Sequence, residues 1–90
     1  MGMARRYVIA GRVQGVGFRW FTHAAAMREG VTGYVRNLPD GRVEAFVEGA
    51  HDAVERVERA IRMGPPGARI NTVNVIDEDP IGAFKTFSIT

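Results

Sequence analysis

One segment, residues 11–19, joins an alternating strand directly to a helical pattern and constrains the fold more than any other part of the chain. It reads Gly-Arg-Val-Gln-Gly-Val-Gly-Phe-Arg. A strand that passes into a helix within so few residues requires a tight turn, and glycines supply the positive φ angles of such a turn. The backbone N–H groups at the start of the helix stay free, which is the usual geometry for binding an oxyanion or a phosphate.

Arg19 stands at the end of this segment, where the helical pattern begins. A guanidinium carries a permanent charge and paired N–H donors that match the oxygens of a phosphate. The segment therefore predicts an anion-binding loop. On this pattern alone, a structural turn that needs its glycines only for backbone conformation is the alternative.

The rest of the chain alternates between strand and helix patterns. Residues 50–63 give the clearest helix, because apolar residues recur at i, i+3, i+4 and i+7 and charged residues occupy the opposite face. Pro39, Asp40 and Gly41 form a turn signal between two strands. The predicted elements are strands at residues 7–13, 31–37, 42–48, 70–77 and 84–89, and helices at residues 19–29 and 50–63.

This order predicts an α+β fold, a ferredoxin-like two-layer sandwich of β-α-β-β-α-β topology with a short C-terminal strand. Both helices are expected on one face of a mostly antiparallel sheet. A length of 90 residues predicts a single domain, residues 1–90.

Several function classes are excluded by the residues that the chain lacks. It has no cysteine, and Ser88 is its only serine, so thiol chemistry and a serine nucleophile elbow are ruled out. His51, Asp52 and Glu55 are more typical of a solvated first helical turn than of a metal site, and no metal or cofactor is predicted. We also expect no membrane contact and a cytoplasmic location, because no apolar run approaches the roughly 18 residues that span a bilayer and the first residues lack the apolar stretch of a signal peptide.

Asn37 is the candidate partner of the glycine segment. We expect the strand before that segment and the strand that ends at Asn37 to be neighbours in the sheet, which would bring Asn37 beside Arg19. A neutral amide with donors and an acceptor is suited to orienting a water molecule. A residue that precedes Leu-Pro-Asp-Gly is also a natural turn residue, and this reading stays open.

The candidate site contains an arginine, free backbone N–H groups and an asparagine, but no nucleophile. This set of groups limits the reactions that it can catalyse. Phosphoryl transfer to water can proceed by positioning and charge stabilisation alone when the leaving group is good. The carboxylate of an acyl phosphate is such a leaving group, because it is weakly basic and needs no general acid.

Residues 11–19, the run Gly-Tyr-Val-Arg-Asn at 33–37 and the pair Asp40-Gly41 together resemble the acylphosphatase family, and the resemblance extends through Phe-Ser-Ile at 87–89. It implies metal-independent hydrolysis of the carboxyl–phosphate bond of acyl phosphates, with Arg19 binding the phosphate and Asn37 orienting the attacking water. Tyr34 stands where tryptophan is frequent in the family. The phosphate-binding residues implied are Gln14, Gly15, Val16, Gly17, Phe18 and Arg19.

The expected partners are a small-molecule acyl phosphate and inorganic phosphate, as product or competitive ligand, with the protein acting as a monomer. The alternative is a non-catalytic ferredoxin-like binding module, either regulatory or nucleic-acid binding. Phe46 prompts the nucleic-acid version, because it is predicted on the outer face of its strand, where an aromatic ring can stack on a base. Its neighbours Glu44 and Glu48 and the net charge of +2 oppose that reading, so no nucleic acid is predicted.

Overall fold

The structure, a computed structural model, describes residues 2–90. Met1, which the predicted domain of residues 1–90 includes, lies outside the described residues. Within residues 2–90, five strands and two helices follow one another along the chain. They are β1 (Gly2–Arg12), α1 (Phe18–Glu29), β2 (Thr32–Asn37), β3 (Val43–Ala50), α2 (His51–Met63), β4 (Arg69–Glu78) and β5 (Phe87–Ile89).

All five strands form one sheet in the order β4-β1-β3-β2-β5. The β2–β5 pair is parallel, and the other three pairs are antiparallel. The predicted α+β fold with a mostly antiparallel sheet is therefore confirmed. The expectation that β1 and β2 are neighbours was wrong, because β3 lies between them. The tight turn after β2 returns β3 along its edge, and β1 pairs with the other edge of β3.

The two helices pack on one face of this sheet and enclose the core. The amphipathic pattern of α2 places Val54, Val57 and Ile61 fully inside. From the sheet, Tyr7, Ile9 and other inward residues of the central strands meet them, as the alternation of side chains along a strand requires. No helix within residues 2–90 is both long and apolar enough to cross a membrane.

The outer face of the sheet carries a cluster of three aromatic rings. Tyr34 stacks on Phe46 with 6.1 Å between ring centroids, and Phe84 lies 5.5 Å from Phe46. Phe84 was predicted in the last strand, but β5 begins only at Phe87, and Phe84 belongs to the loop that crosses the outer face. Phe46 is therefore only 6% exposed, and its ring offers no platform for a nucleic-acid base.

A carboxylate holds this loop in place. Glu48 on β3 accepts hydrogen bonds from the backbone N–H groups of Ile81, at 3.2 Å, and Gly82, at 3.1 Å. Charge-assisted bonds to two successive N–H groups fix the loop against the sheet. Phe84 is thereby kept over the outer face.

Candidate active site

The loop between β1 and α1 has the backbone conformation that the glycines predicted. Gly15 and Gly17 adopt φ angles of 75° and 78°. The first hydrogen bond of the helix runs from the N–H of Phe21 to the carbonyl of Gly17, at 2.9 Å. No hydrogen bond from the N–H groups of residues 15–18 to a protein acceptor occurs within residues 2–90. Since the first turn of α1 also lacks acidic residues, this helix end is suited to an anion.

A cavity of about 120 Å³ opens at this helix end. It brings the loop, the first turn of α1 and the end of β2 together. Its lining residues are Val13, Gly15, Gly17, Phe18, Arg19, Trp20 and Asn37. Arg19 on α1 and Asn37 at the end of β2, predicted as the catalytic pair, thus share one cavity although β3 lies between β1 and β2. Gln14 and Val16 of the predicted phosphate-binding set are not among its lining residues.

The guanidinium of Arg19 is uncommitted. It makes no side-chain hydrogen bond or ion pair with any of residues 2–90. By contrast, Arg5 lies 2.9 Å from a carboxylate oxygen of Glu58, and Arg36 lies 2.6 Å from one of Glu44. The positive charge of Arg19 at the cavity is therefore available to a bound anion.

Asn37 presents a neutral amide to the same space. Its backbone belongs to β2 and is paired with Val43, and the turn begins only at Leu38, whose N–H donates to the carbonyl of Arg42 at 2.7 Å. The structure thus places Asn37 in the strand rather than in the turn. Across residues 2–90 the side-chain amide finds no hydrogen-bond partner, so it is free to hold a ligand or a water molecule.

Gln14 connects the two sides of the site. Its side-chain amide donates to the carbonyl of Leu38 at 2.8 Å and to that of Arg42 at 3.0 Å. These bonds tie the glycine loop to the turn that follows Asn37. Gln14 was predicted among the phosphate-binding residues; in the structure its side-chain amide connects the loop to this turn, and no local pattern reveals a contact between residues 24 apart.

A family model described as Acylphosphatase matches residues 5–89. This chain belongs to the acylphosphatase family. The resemblance predicted from the sequence is thereby confirmed.

Similar proteins bear the same name. The chain is 52% identical to an acylphosphatase of Pyrobaculum aerophilum, over 99% of this chain and 96% of the relative. It is 49% identical to an acylphosphatase of Acaryochloris marina, over 91% of this chain and 87% of the relative. The crystal structure of the Bacillus subtilis acylphosphatase superposes with a TM-score of 0.94, at 34% identity, and the match covers 98% of both chains.

The remaining polar candidates lie outside the cavity. His51 has its Nδ1 atom 3.6 Å from Asp52 and 3.7 Å from Glu55, and the three side chains form an open group on the first turn of α2. His23 lies on α1 between Trp20 and Phe87, with an aromatic ring on either side. Neither histidine lines the cavity.

Proposed function

We propose that the chain hydrolyses the carboxyl–phosphate bond of acyl phosphates by in-line attack of a water that Asn37 orients on a phosphoryl group held by Arg19 and the backbone of residues 15–18. The reaction class is that of the family: the chain is an acylphosphatase and acts on a small-molecule acyl phosphate. The observation that carries the proposed mechanism is the shared cavity, in which an uncommitted guanidinium, free N–H groups and a free amide converge.

The phosphoryl group occupies the end of the cavity formed by the glycine loop. Its non-bridging oxygens accept hydrogen bonds from the backbone N–H groups of residues 15–18 and from the guanidinium of Arg19. Because these donors are held in place by the fold, charge that develops on the phosphoryl oxygens is stabilised without rearrangement. The positive end of the α1 dipole acts in the same direction.

The attacking water lies on the side of the phosphoryl group that faces Asn37. The amide oxygen accepts a hydrogen bond from the water and directs its lone pair along the line of the breaking bond. An amide is not a general base at neutral pH, so its contribution is positioning. The leaving carboxylate is weakly basic and departs without a general acid.

The lining supports a reaction without a metal ion, because within the described chain no carboxylate, imidazole or thiol lines the cavity. These are the side chains that ordinarily ligate metal ions at catalytic sites. Arg19 and the N–H groups supply the positive charge that a metal would otherwise bring. Inorganic phosphate fits the same donors, and we expect it to act as a competitive ligand.

We further propose that residues 1–90 act as a single domain and as a monomer in the cytoplasm. The support is the core, which the helices and the sheet of one chain enclose together. Light scattering coupled to size-exclusion chromatography measures the mass in solution. A mass of twice 9.9 kDa would contradict the monomer.

Hydrolysis of benzoyl phosphate, followed by ultraviolet absorbance in a buffer that contains a chelator, tests the mechanism. Arg19→Ala is expected to lower kcat/KM by a factor on the order of 10² to 10³, as removal of one preorganised donor does. Asn37→Ala is expected to lower it by about 10², because the attacking water is no longer positioned. Arg19→Lys is expected to fail as well, because an ammonium lacks the two-pronged donor geometry. Circular dichroism confirms that each variant is folded.

Two matched variants control for charge and for amide loss. Arg28→Ala removes an exposed arginine from the same helix, and Asn74→Ala removes an exposed asparagine from β4. Both are expected to retain wild-type kcat/KM. Normal turnover in Arg19→Lys, or loss of turnover on chelation, would contradict the proposed mechanism.

A further inference from the structure

We propose that Trp20 is the contact for the acyl group and that it gives the site a preference for acyl phosphates with flat, aromatic acyl groups over acetyl phosphate. This inference rests on the proposed function and adds the substrate class to it. Trp20 follows Arg19 directly and lines the same cavity. Trp20 is nevertheless 69% exposed, so most of its surface faces solvent.

The position of Trp20 sets it apart from the other exposed apolar side chains. Met27, Met63 and Ile81 are also largely exposed, but none of them lines the cavity. Single exposed apolar residues are normal on a protein surface and need no explanation. Trp20 is a different case, because its large aromatic ring lies beside the uncommitted guanidinium of Arg19, in the cavity that holds the free N–H groups described above.

Aromatic neighbours on the inner side support the Trp20 ring. His23, one helical turn further along α1, meets it edge-on with 6.3 Å between ring centroids. His23 in turn lies 6.1 Å from the ring of Phe87, which is buried in the core. Tilted and edge-to-face contacts between rings at such distances are favourable. The row from Phe87 through His23 supports the indole from the core outwards.

In-line attack places the leaving acyl group on the side of the phosphoryl group opposite to the attacking water, and we infer that this is the side of the Trp20 ring. With the phosphoryl group against the glycine loop and the water on the Asn37 side, the acyl oxygen points away from Asn37 and out of the cavity. Among the large apolar side chains that line the cavity, Trp20 is the exposed one and is therefore accessible to the acyl group, since Val13 and Phe18 are fully buried. A flat acyl group can stack on the indole, whereas an acetyl group covers little of it.

Arg19 is the only cationic side chain of the lining among residues 2–90. The phosphoryl group occupies it, so a second negative charge on the acyl group would have no partner there. The chemistry of the mouth thus favours uncharged aromatic acyl groups, and stacking on one exposed ring typically changes affinity by about fivefold.

Paired substrates test this assignment. We would measure kcat/KM for benzoyl phosphate and acetyl phosphate with the wild type, Trp20→Ala, Trp20→Phe and Met63→Ala, an exposed apolar residue outside the cavity. The benzoyl-to-acetyl ratio is expected to fall about fivefold in Trp20→Ala, to be largely restored in Trp20→Phe, and to stay unchanged in Met63→Ala.

Binding gives a second readout. Trp20 is the only tryptophan of the chain, so its fluorescence reports on the mouth alone. Benzoylphosphonate, which is not hydrolysed, is expected to quench this fluorescence strongly, and inorganic phosphate only weakly. The inhibition constant of benzoylphosphonate should rise about fivefold in Trp20→Ala.

The outcomes separate the two proposals. A wild type that hydrolyses neither substrate would overturn the proposed function and this inference with it. A wild type that hydrolyses both, with the same benzoyl-to-acetyl ratio in Trp20→Ala, would overturn the role of Trp20 and leave the proposed function standing.

Discussion

Gly17→Ala and Gly30→Ala place the same backbone strain at opposite ends of α1. Because only Gly17 lies at the cavity, comparing the two variants distinguishes strain at the site from strain elsewhere. Gly17, before the first residue of α1, has φ 78° and ψ 20°, and Gly30, after the last residue, has φ 72° and ψ 23°. A Cβ atom added at either position would meet nothing within 4 Å. Alanine at either position therefore introduces no clash, and only the left-handed backbone conformation is unfavourable.

The magnitude follows from two opposing effects. An L-residue in the left-handed conformation costs about 1–2 kcal/mol, and alanine restricts the unfolded chain, which returns about 0.4–1 kcal/mol. The net loss is about 1 kcal/mol for each variant, which lowers the Tm of a domain of this size by about 4–8 °C. Gly17→Ala and Gly30→Ala should thus melt at the same temperature, below the wild type.

Activity should distinguish them. In Gly17→Ala the strain of about 1 kcal/mol lies in the loop that we propose to bind phosphate, so the equilibrium between this loop conformation and less strained ones shifts by about fivefold and KM rises by up to that factor. Gly30→Ala should keep the wild-type KM. Differential scanning calorimetry and benzoyl phosphate kinetics measure both quantities. Equal KM values in the two variants would refute the reasoning that the loop conformation creates the phosphate site.

Two further predictions concern Glu58 and Gln14. Burial raises the pKa of Glu58, but hydrogen bonds from Tyr7, Arg62 and Arg5 outweigh this effect and leave the pKa below its usual value. The ionised Glu58 carboxylate therefore stabilises the fold above about pH 4.3, the ordinary carboxyl pKa, and this stabilisation is lost as the pH falls through the pKa of the folded state. Urea midpoints measured from pH 7 to 3 should fall less steeply in Glu58→Gln, and identical slopes would contradict this. In Gln14→Ala the free energy of unfolding should fall by about 1 kcal/mol and kcat/KM should also fall, because the glycine loop loses its two hydrogen bonds to the turn after β2. Full activity in the destabilised variant would contradict a positioning role for Gln14.

The elements with strong local patterns could be predicted from the sequence. The helix predicted at residues 50–63 is α2, His51–Met63, because its apolar stripe and the following Gly-Pro-Pro-Gly define both ends. The start of β1 could not be predicted, because Arg5 and Arg6 interrupt the apolar alternation. Arg5 forms ion pairs with Glu58 on α2 and Asp77 on β4, and the sequence does not reveal pairs so far apart.

In the candidate site, too, local sequence patterns predicted some features, while others depend on tertiary packing. Arg19, the glycine loop and Asn37 belong to contiguous motifs, and their convergence in one cavity was predicted. The strand adjacency used to argue for it was wrong, because local patterns do not determine the order of strands in a sheet. The contact of Gln14 with the turn and the cover of Phe46 by Phe84 are likewise products of tertiary packing, and no local signal announces them.

The place of β3 in the sheet has a consequence for how the protein matures on the ribosome. Every described residue that lines the cavity lies within the first 37 residues, but the strand that lies between β1 and β2 in the sheet is residues 43–50. A nascent chain that ends before β3 contains the complete set of these lining groups without the strand through which β1 and β2 join one sheet. Catalytic competence therefore requires β3 to be in place between β1 and β2, and the appearance of activity during refolding reports that this part of the sheet has formed.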